Sequence, residues 1–224
     1  MKLLGMKCIQ MGKFLLLFIV FSQVGCLSDT VVKPVEAIAI NEEITDEGGA
    51  AALPTKRSSK DLITGDVIDE YKGVPIYYNH SPYQSQGRHK SPGGYNYGMK
   101  WQCVEFVKRY YYDRLKHAMP DTYGHAKDFF DKELRDGDYN PARDLYQFIN
   151  GGVFKPQPDD IIVFAGDKYG HIAIITEVGE DYLTIVQQNV GTVSRHNIPF
   201  AQHKNHYYIM NRDAIGFLGR RPEF

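Results

Sequence analysis

The 224-residue chain is long enough for one ordinary domain with an accessory segment, and its 43% hydrophobic and 13% aromatic content can supply a core. Its formal net charge is −1, and 24% of its residues are charged. A general nucleic-acid-binding protein usually carries a basic patch or stripe, so nucleic acid is not an expected partner.

The N-terminal segment has the layout of a secretory signal peptide. Three lysines precede the apolar run "FLLLFIVF" at 14–21, which is far shorter than the roughly 20 residues of a membrane-spanning helix. We therefore predict a signal peptide over residues 1–25 and export of the protein. Met6 and Met11 are both alternative starts, because the stretch from Met11 onward already has a basic start and an apolar run.

The stretch "VGC" at 24–26 resembles the end of a bacterial lipoprotein box, in which the cysteine becomes the lipidated N-terminus. Gln23 stands where an aliphatic residue is usual, so ordinary cleavage nearby and an uncleaved anchor are the alternatives. We predict lipidation of Cys26, and a membrane-anchored lipoprotein or a periplasmic or secreted protein of the bacterial cell envelope. Cleavage before Cys26 removes three lysines and no acidic residue, which changes the net charge from −1 to −4.

The next segment has the composition of a linker. Residues 27–60 contain no aromatic residue, and they mix Ala, Gly, Pro and acidic residues without helical or strand periodicity. We therefore predict a flexible tether over residues 26–60. Aromatic residues become dense from Tyr71 onward, so we expect the folded domain to occupy residues 61–224.

The first predicted elements of this domain are a strand, a loop and a helix. The stretch "GVPIYYNH" (73–80) indicates a short strand, and residues 81–98 form a loop rich in Gly, Pro, Ser and Tyr that we expect at the rim of a substrate cleft or on the surface. Apolar residues at helical spacing predict an amphipathic helix that begins near Cys103: Val104, Val107, Tyr111 and Leu115.

The second half of the domain changes from helical to β-rich patterns. Two further helices are predicted, over 122–135 and over 142–149. Short β-rich runs separated by turn residues follow at 160–166, 170–178, 181–190, 206–210 and 214–220. Helices first and strands afterwards predict an α+β fold with a mostly antiparallel sheet.

Cys103 can be a small buried hydrophobe, a structural partner or a nucleophile. With Cys8 removed and Cys26 acylated it has no intrachain partner, which leaves an inert buried thiol or a free reactive one. A lone cysteine in an amphipathic helix is usually a core residue. At a helix N-terminus, however, the positive end of the helix dipole favours the thiolate and lowers the pKa of the thiol.

A nucleophilic cysteine needs a base on a rigid element. His171 opens the otherwise apolar run "HIAIITEV", and the next predicted strand ends in an amide cluster, Gln187, Gln188 and Asn189. If the two strands form a hairpin, one of these amides can hydrogen-bond the imidazole and fix its tautomer. Each residue alone has a plainer interpretation as a core, surface or turn residue, and only their order indicates a Cys-His-amide site.

The stretches "KWQCVEFVKRYYYDRL", "GHIAIITEV" and "LTIVQQNV", with the closing "AIGFLGR", resemble the CHAP family of cysteine- and histidine-dependent amidohydrolases and peptidases, in the papain-like superfamily. Within that family the likeness is greatest to the amidase domain of bifunctional glutathionylspermidine synthetase/amidase. The resemblance covers residues 65–219. It implies a papain-like CHAP fold, with N-terminal helices packed on a mostly antiparallel β-sheet.

The resemblance also implies roles for individual residues. Cys103 falls on the nucleophile of the family and His171 on its general base. The third catalytic position falls on Gln187, where those relatives carry an acidic residue, usually Glu, and a family asparagine falls on Asn189. We expect Gln102, beside the nucleophile, to line the oxyanion pocket. No cofactor is expected.

Together these residues predict an exported cysteine amidohydrolase or peptidase that acts as a monomer. Export favours peptidoglycan peptides as the substrate, whereas the family likeness favours a glutathionylspermidine-like amide. A CHAP-like module that binds without catalysis and an acyltransferase are the competing classes.

Two candidate metal sites do not fit metal-binding patterns. Residues 136–144 alternate oxygen ligands like a calcium loop, but Pro141 stands where glycine is required and Gln147 where a bidentate Glu is required. Three histidines near the C-terminus match no strong zinc signature: His196, His203 and His206. We therefore predict no metal site.

Overall fold

The described part of the chain is the aromatic-rich segment. A computed structural model of the protein describes residues 61–121 and 123–221. The predicted signal peptide, Cys26 and the predicted tether lie outside these residues, and the domain boundary at residue 61 stays a prediction. Within the described ranges, no helix is long and apolar enough to cross a membrane.

Two small antiparallel hairpins and one α-helix form the N-terminal part of the domain. Their bounds are β1 (Val67–Tyr71), β2 (Val74–Tyr77), β3 (Arg88–Lys90), β4 (Asn96–Met99) and α1 (Cys103–Arg109). Helix α1 continues as a π-helical turn, Tyr110–Arg114. The predicted strand at 73–80 and the predicted helix beginning near Cys103 are confirmed. The predicted loop at 81–98 is wrong in part, because it contains β3 and β4.

An eight-stranded sheet forms the rest of the domain. Its strands are β5 (Tyr139–Asn140), β6 (Leu145–Ile149), β7 (Ile161–Phe164), β8 (His171–Val178), β9 (Tyr182–Val186), β10 (Arg195–His203), β11 (His206–Ile209) and β12 (Ala214–Gly219). Their order across the sheet is β11-β10-β9-β8-β7-β12-β6-β5, and all neighbours are antiparallel. The strands predicted from the five β-rich runs are all present, and the α+β class with a mostly antiparallel sheet is confirmed.

The two other predicted helices are wrong. Within 123–135 the chain forms only a 3-10 helix, Ala126–Phe129, and turns. Aspartate side chains there accept hydrogen bonds from nearby backbone N–H groups, as Asp128 does from His125, and such local bonds compete with an α-helix. Residues 142–149 end in strand β6, which pairs with β12. Pairing with a strand some 70 residues away thus overrides the local helical pattern.

The sheet buries apolar side chains on both faces. Phe106 and Val107 of α1 belong to one buried cluster with Ile172 and Ile174 of β8. Ala173 of the same strand belongs to a second cluster, with residues of β9 and β10. Successive side chains of a strand point to opposite faces, which explains this alternation. The start of β8 lies beside the start of α1, because the backbone N–H of Ile172 bonds the side chain of Cys103.

Asp159, just before β7, fixes the helical segment to the sheet. Its carboxylate accepts hydrogen bonds from the hydroxyls of Tyr71 (3.0 Å) and Tyr110 (2.6 Å) and pairs with the Lys72 ammonium at 2.7 Å. Its backbone carbonyl accepts a hydrogen bond from the hydroxyl of Tyr111 (2.7 Å). Its φ of 76° is left-handed, a conformation that Asp tolerates better than most residues. The end of the helical segment is therefore held against the start of β7.

We expect Asp159→Ala to lower the free energy of unfolding by about 2–4 kcal/mol, because three donors lose a charged acceptor. Asp159→Asn keeps the side-chain shape and one acceptor oxygen, so it should lose about half as much. Urea unfolding of the wild type and both variants measures this, with the exposed Asp181→Ala as a matched control. A loss for Asp159→Ala no larger than that of the control would contradict the account.

Candidate active site

Cys103 is the first residue of α1 and is 6% exposed. The preceding residue, Gln102, has extended backbone (φ −82°, ψ 162°), so the helix begins at the cysteine. The backbone N–H groups of Val104 and Ile172 donate hydrogen bonds to the sulfur. Cys103 is a free thiol. Its predicted place in the first helical turn is confirmed, and backbone donors surround its sulfur.

Cys103 and His171 are hydrogen-bonded to each other across the junction of α1 and β8. Burial raises the pKa of the thiol, but the charge and the hydrogen bond of His171 outweigh burial and hold that pKa below its ordinary value. Burial lowers the pKa of the imidazole, but the charge and the hydrogen bond of Cys103 raise it above its ordinary value, with help from Gln187. The two shifts together favour a thiolate beside an imidazolium.

Gln187 contacts the other side of the imidazole. Its Oε1 atom lies 2.9 Å from Nε2 of His171. A carbonyl oxygen only accepts hydrogen bonds, so Nε2 carries a proton and Nδ1 is the nitrogen that is left for the sulfur. The antiparallel pairing of β8 and β9 brings these two residues together. Gln187 is thus the amide of the predicted cluster that meets His171, and its catalytic role stays a prediction.

Asn189 and Gln102 belong to a neighbouring amide network. The Nδ2 atom of Asn189 donates to Oε1 of Gln102 (2.8 Å) and to the carbonyl of Pro82 (3.1 Å). Its Oδ1 accepts from Nδ2 of Asn79 (2.7 Å), and Nε2 of Gln102 donates to the carbonyl of Gln84 (2.6 Å). These bonds connect the residue before the nucleophile to the 79–84 loop. The structure therefore brings Asn189 to Gln102 and not to the imidazole.

Gln188, the middle residue of the amide cluster, is completely buried. Its Nε2 atom donates to the carboxylate of Glu105 (2.8 Å) and to the carbonyl of Gln102 (3.1 Å). Its Oε1 atom accepts from the backbone N–H of Tyr77 (2.8 Å). One side chain thus ties the end of β9 to helix α1 and to strand β2.

Glu105, a buried acid in α1, is a residue that sequence reasoning missed. The Nε atom of Arg109 lies 2.6 Å from its carboxylate, and Nδ1 of His89 lies 2.7 Å from it. Burial raises the pKa of Glu105, but hydrogen bonds from His89, Arg109 and Gln188 and the charge of Arg109 hold it below its ordinary value. The spacing of Glu105 and Arg109, four residues apart in a helix, is the signal that could have indicated this pair.

A cleft of about 300 Å³ opens on the side of the imidazole that faces Gln187. His171 and Gln187 line it together with Asp167, His196 and Asp213. His171 and Gln187 are each half-buried, so both are accessible from this cleft. The imidazole lines this cleft, and Cys103 is not among its lining residues.

The residues of the two candidate metal sites lie apart or bond to protein groups. Among the described residues, no group of three or more His, Cys, Asp or Glu side chains could hold a metal ion. His203 lies opposite His206 in the β10–β11 hairpin, whereas His196 lines the cleft. In the calcium-like stretch, the carboxylate of Asp136 accepts hydrogen bonds from the backbone N–H groups of Ile149 and Val153.

Residues 94–189 match the CHAP domain family. Trypanothione synthetase of Crithidia fasciculata is 31% identical over 119 residues, which are 52% of this chain and 18% of that protein. The bifunctional glutathionylspermidine synthetase/amidase of Escherichia coli K12 is 32% identical over 98 residues, 42% of this chain and 16% of that protein. The chain spans less than a fifth of the length of these relatives. The matched range contains Cys103, His171, Gln187 and Asn189.

The adjacent amides should respond differently to the same substitution. Gln188→Leu removes three hydrogen bonds of a completely buried side chain, one of them to the buried Glu105 carboxylate, so we expect the free energy of unfolding to fall by about 2–4 kcal/mol. Gln187→Leu, at a half-buried side chain that bonds the imidazole, should cost less than about 1 kcal/mol. Urea unfolding followed by fluorescence compares the two. Equal losses would show that the buried network does not hold the end of β9.

Proposed function

We propose that this chain, whose residues 94–189 match the CHAP domain family, is a hydrolase that cleaves an amide bond through Cys103 and His171. The observation that carries the proposal is the hydrogen-bonded pair of a buried thiol with a lowered pKa and an imidazole with a raised pKa. A thiolate is the nucleophilic form of cysteine, and an imidazolium is the acid that a leaving amine requires.

The proposed reaction has two halves. The Cys103 thiolate attacks the amide carbonyl, a C–S bond forms, and backbone N–H groups at the start of α1 stabilise the oxyanion. His171 gives its proton to the amine nitrogen, the C–N bond breaks and the amine leaves. Water then attacks the thioester while His171 takes a proton from it. The C–S bond breaks, the carboxylic acid is released, and the Cys103 thiolate and the His171 imidazolium are regenerated.

Gln102 and Asn189 support the oxyanion side of this proposal. The Nε2 group of Gln102 donates one hydrogen bond to the loop carbonyl of Gln84, and an amide NH2 has a second N–H that we propose for the oxyanion. The bond from Asn189 to Oε1 of Gln102 fixes which end of that amide points away from the loop. Asn189 thus acts on the oxyanion pocket through Gln102, while Gln187 orients His171.

The proposed substrate is a peptide amide of peptidoglycan. Export to the bacterial cell envelope, if the signal peptide and lipidated Cys26 are as predicted, brings the enzyme to that polymer. A glutathionylspermidine-type amide is the second candidate, because one relative is named a glutathionylspermidine synthetase/amidase. The predicted location in the cell envelope favours peptidoglycan, and the sequence likeness favours the glutathionylspermidine-type amide.

A product assay tests the proposal and separates its alternatives. The mature protein is incubated with purified peptidoglycan and, separately, with glutathionylspermidine, and the products are analysed by mass. We expect new amine and carboxylate ends from peptidoglycan, and a loss of at least about 10³-fold in Cys103→Ala, since no other group replaces the nucleophile.

Other outcomes of the assay identify the competing classes. Cleavage of glutathionylspermidine alone would select the second substrate. Transfer of the acyl group to an added amine would indicate an acyltransferase. If neither reaction gives a new amine and the folded protein still binds peptidoglycan, the protein is a binding module and not an enzyme.

The proposed anchor gives a prediction in cells. If Cys26 is lipidated, the wild-type protein should fractionate with membranes, and Cys26→Ser should release it or block its processing. Mass analysis of the N-terminal peptide measures the lipid directly, and Cys103→Ser is the matched control that should leave fractionation unchanged. A wild-type protein that is wholly soluble, with a free N-terminus elsewhere, rules the anchor out.

A further inference from the structure

The proposed reaction leaves the imidazolium of His171 without a counter-charge at one step. In the resting pair the thiolate of Cys103 balances it. When the thiolate attacks a carbonyl, its negative charge moves to the oxyanion at the start of α1. Gln187 accepts the Nε2–H hydrogen bond but is neutral, so it orients the ring without compensating its charge. A carboxylate near the ring would stabilise the imidazolium until its proton is transferred.

The turn that leads into β8 places such a carboxylate. The Oδ1 atom of Asp167 accepts hydrogen bonds from the backbone N–H groups of Tyr169 (2.9 Å) and Gly170 (2.5 Å). Its side chain is therefore folded back toward the residue that precedes His171. Gly170 has a left-handed φ of 72°, and a Cβ there would lie 2.6 Å from the carbonyl oxygen of Phe164. This close approach fixes the turn, and Asp167 lines the same cleft as the imidazole.

We propose that Asp167 supplies the negative charge that Gln187 lacks, and that it is a positioning residue that stabilises the His171 imidazolium without touching the reacting atoms. The inference rests on the proposed Cys103–His171 chemistry. The charge of Asp167 acts in the same direction as the bond from Gln187, since both raise the pKa of the imidazole.

Other charged or titratable groups near the ring and its turn come from each neighbouring element. The charged ones are Lys127 at the 3-10 helix, Lys168 of the turn, and Arg212 and Asp213 before β12, and Cys103 of α1, His125 and His196 of β10 are titratable. Asp213 shares the cleft, but its side chain is 41% exposed and its carboxylate pairs with Nε of Arg212 at 3.5 Å. In the described part of the chain no ion pair reaches Asp167. Asp167 is therefore the cleft carboxylate that shares its charge with no arginine in an ion pair.

The test compares Asp167→Asn with Asp213→Asn in the mature protein. Asparagine keeps an oxygen that accepts the two turn hydrogen bonds, so the first variant removes the charge and leaves the turn. We expect Asp167→Asn to move the alkaline limb of the pH profile of kcat/KM to lower pH. On that limb kcat/KM should fall two- to four-fold, and at lower pH it should change little. Asp213→Asn, with the same charge change in the same cleft, should leave the limb in place.

A salt dependence and a double variant extend the test. Asp167 is exposed, so its effect should shrink at high salt, whereas the effect of Gln187→Ala should not. Adding Gln187→Glu to Asp167→Asn should return the limb to the wild-type pH or above, because the new carboxylate restores the charge. A limb that does not move in Asp167→Asn, or that moves equally in Asp213→Asn, overturns the proposal.

A substrate-independent titration separates this inference from the proposed function. The His171 ring is titrated by NMR in the wild type and in Asp167→Asn. A lower midpoint in the variant supports the role of Asp167 even if neither substrate is cleaved, and identical midpoints contradict it even if the protein proves to be an amidase.

Discussion

The contact between the Cys103 thiol and the His171 imidazole joins the helical and the β-sheet parts of this domain. Burial alone would keep both groups neutral, because a single charge in a poorly solvated site is costly. Two opposite charges side by side offset that cost for each other, which is why the pKa of the thiol falls while the pKa of the imidazole rises. The chemistry thus depends on the distance between the first residue of α1 and the first residue of β8.

Several buried polar contacts hold that distance. Asp159 fixes the far end of the helical segment to the sheet through tyrosine hydroxyls. Gln188 and Glu105 hold the near end of α1 to the end of β9. The two amides that follow β9 have different surroundings and take different tasks. Gln188 enters the protein interior, and Gln187 stays at the cleft beside the imidazole.

The sequence predicted the parts of the site that depend on local pattern. The position of Cys103 follows from apolar spacing in α1, and that of His171 from the apolar run that it opens. The predicted helices at 122–135 and 142–149 failed because aspartate side chains bond nearby backbone N–H groups in the first and long-range strand pairing decides the second.

Contacts between distant segments could not be predicted in the same way. Asn189 meets Gln102 and Asn79 because its backbone turns to a left-handed φ of 73° directly after the amide pair, which no spacing rule reveals. The cleft role of Asp167 depends equally on how its turn folds against Phe164 and Lys127.

The most direct test of the account is an ultraviolet titration of the Cys103 thiolate in the mature, folded protein, with Cys103→Ser as the blank. Thiolate absorbance should be present at neutral pH and disappear only in acid, and in His171→Ala it should appear only at clearly higher pH. Thiolate that appears only at the alkaline pH of an ordinary cysteine, with no difference between the wild type and His171→Ala, would contradict it.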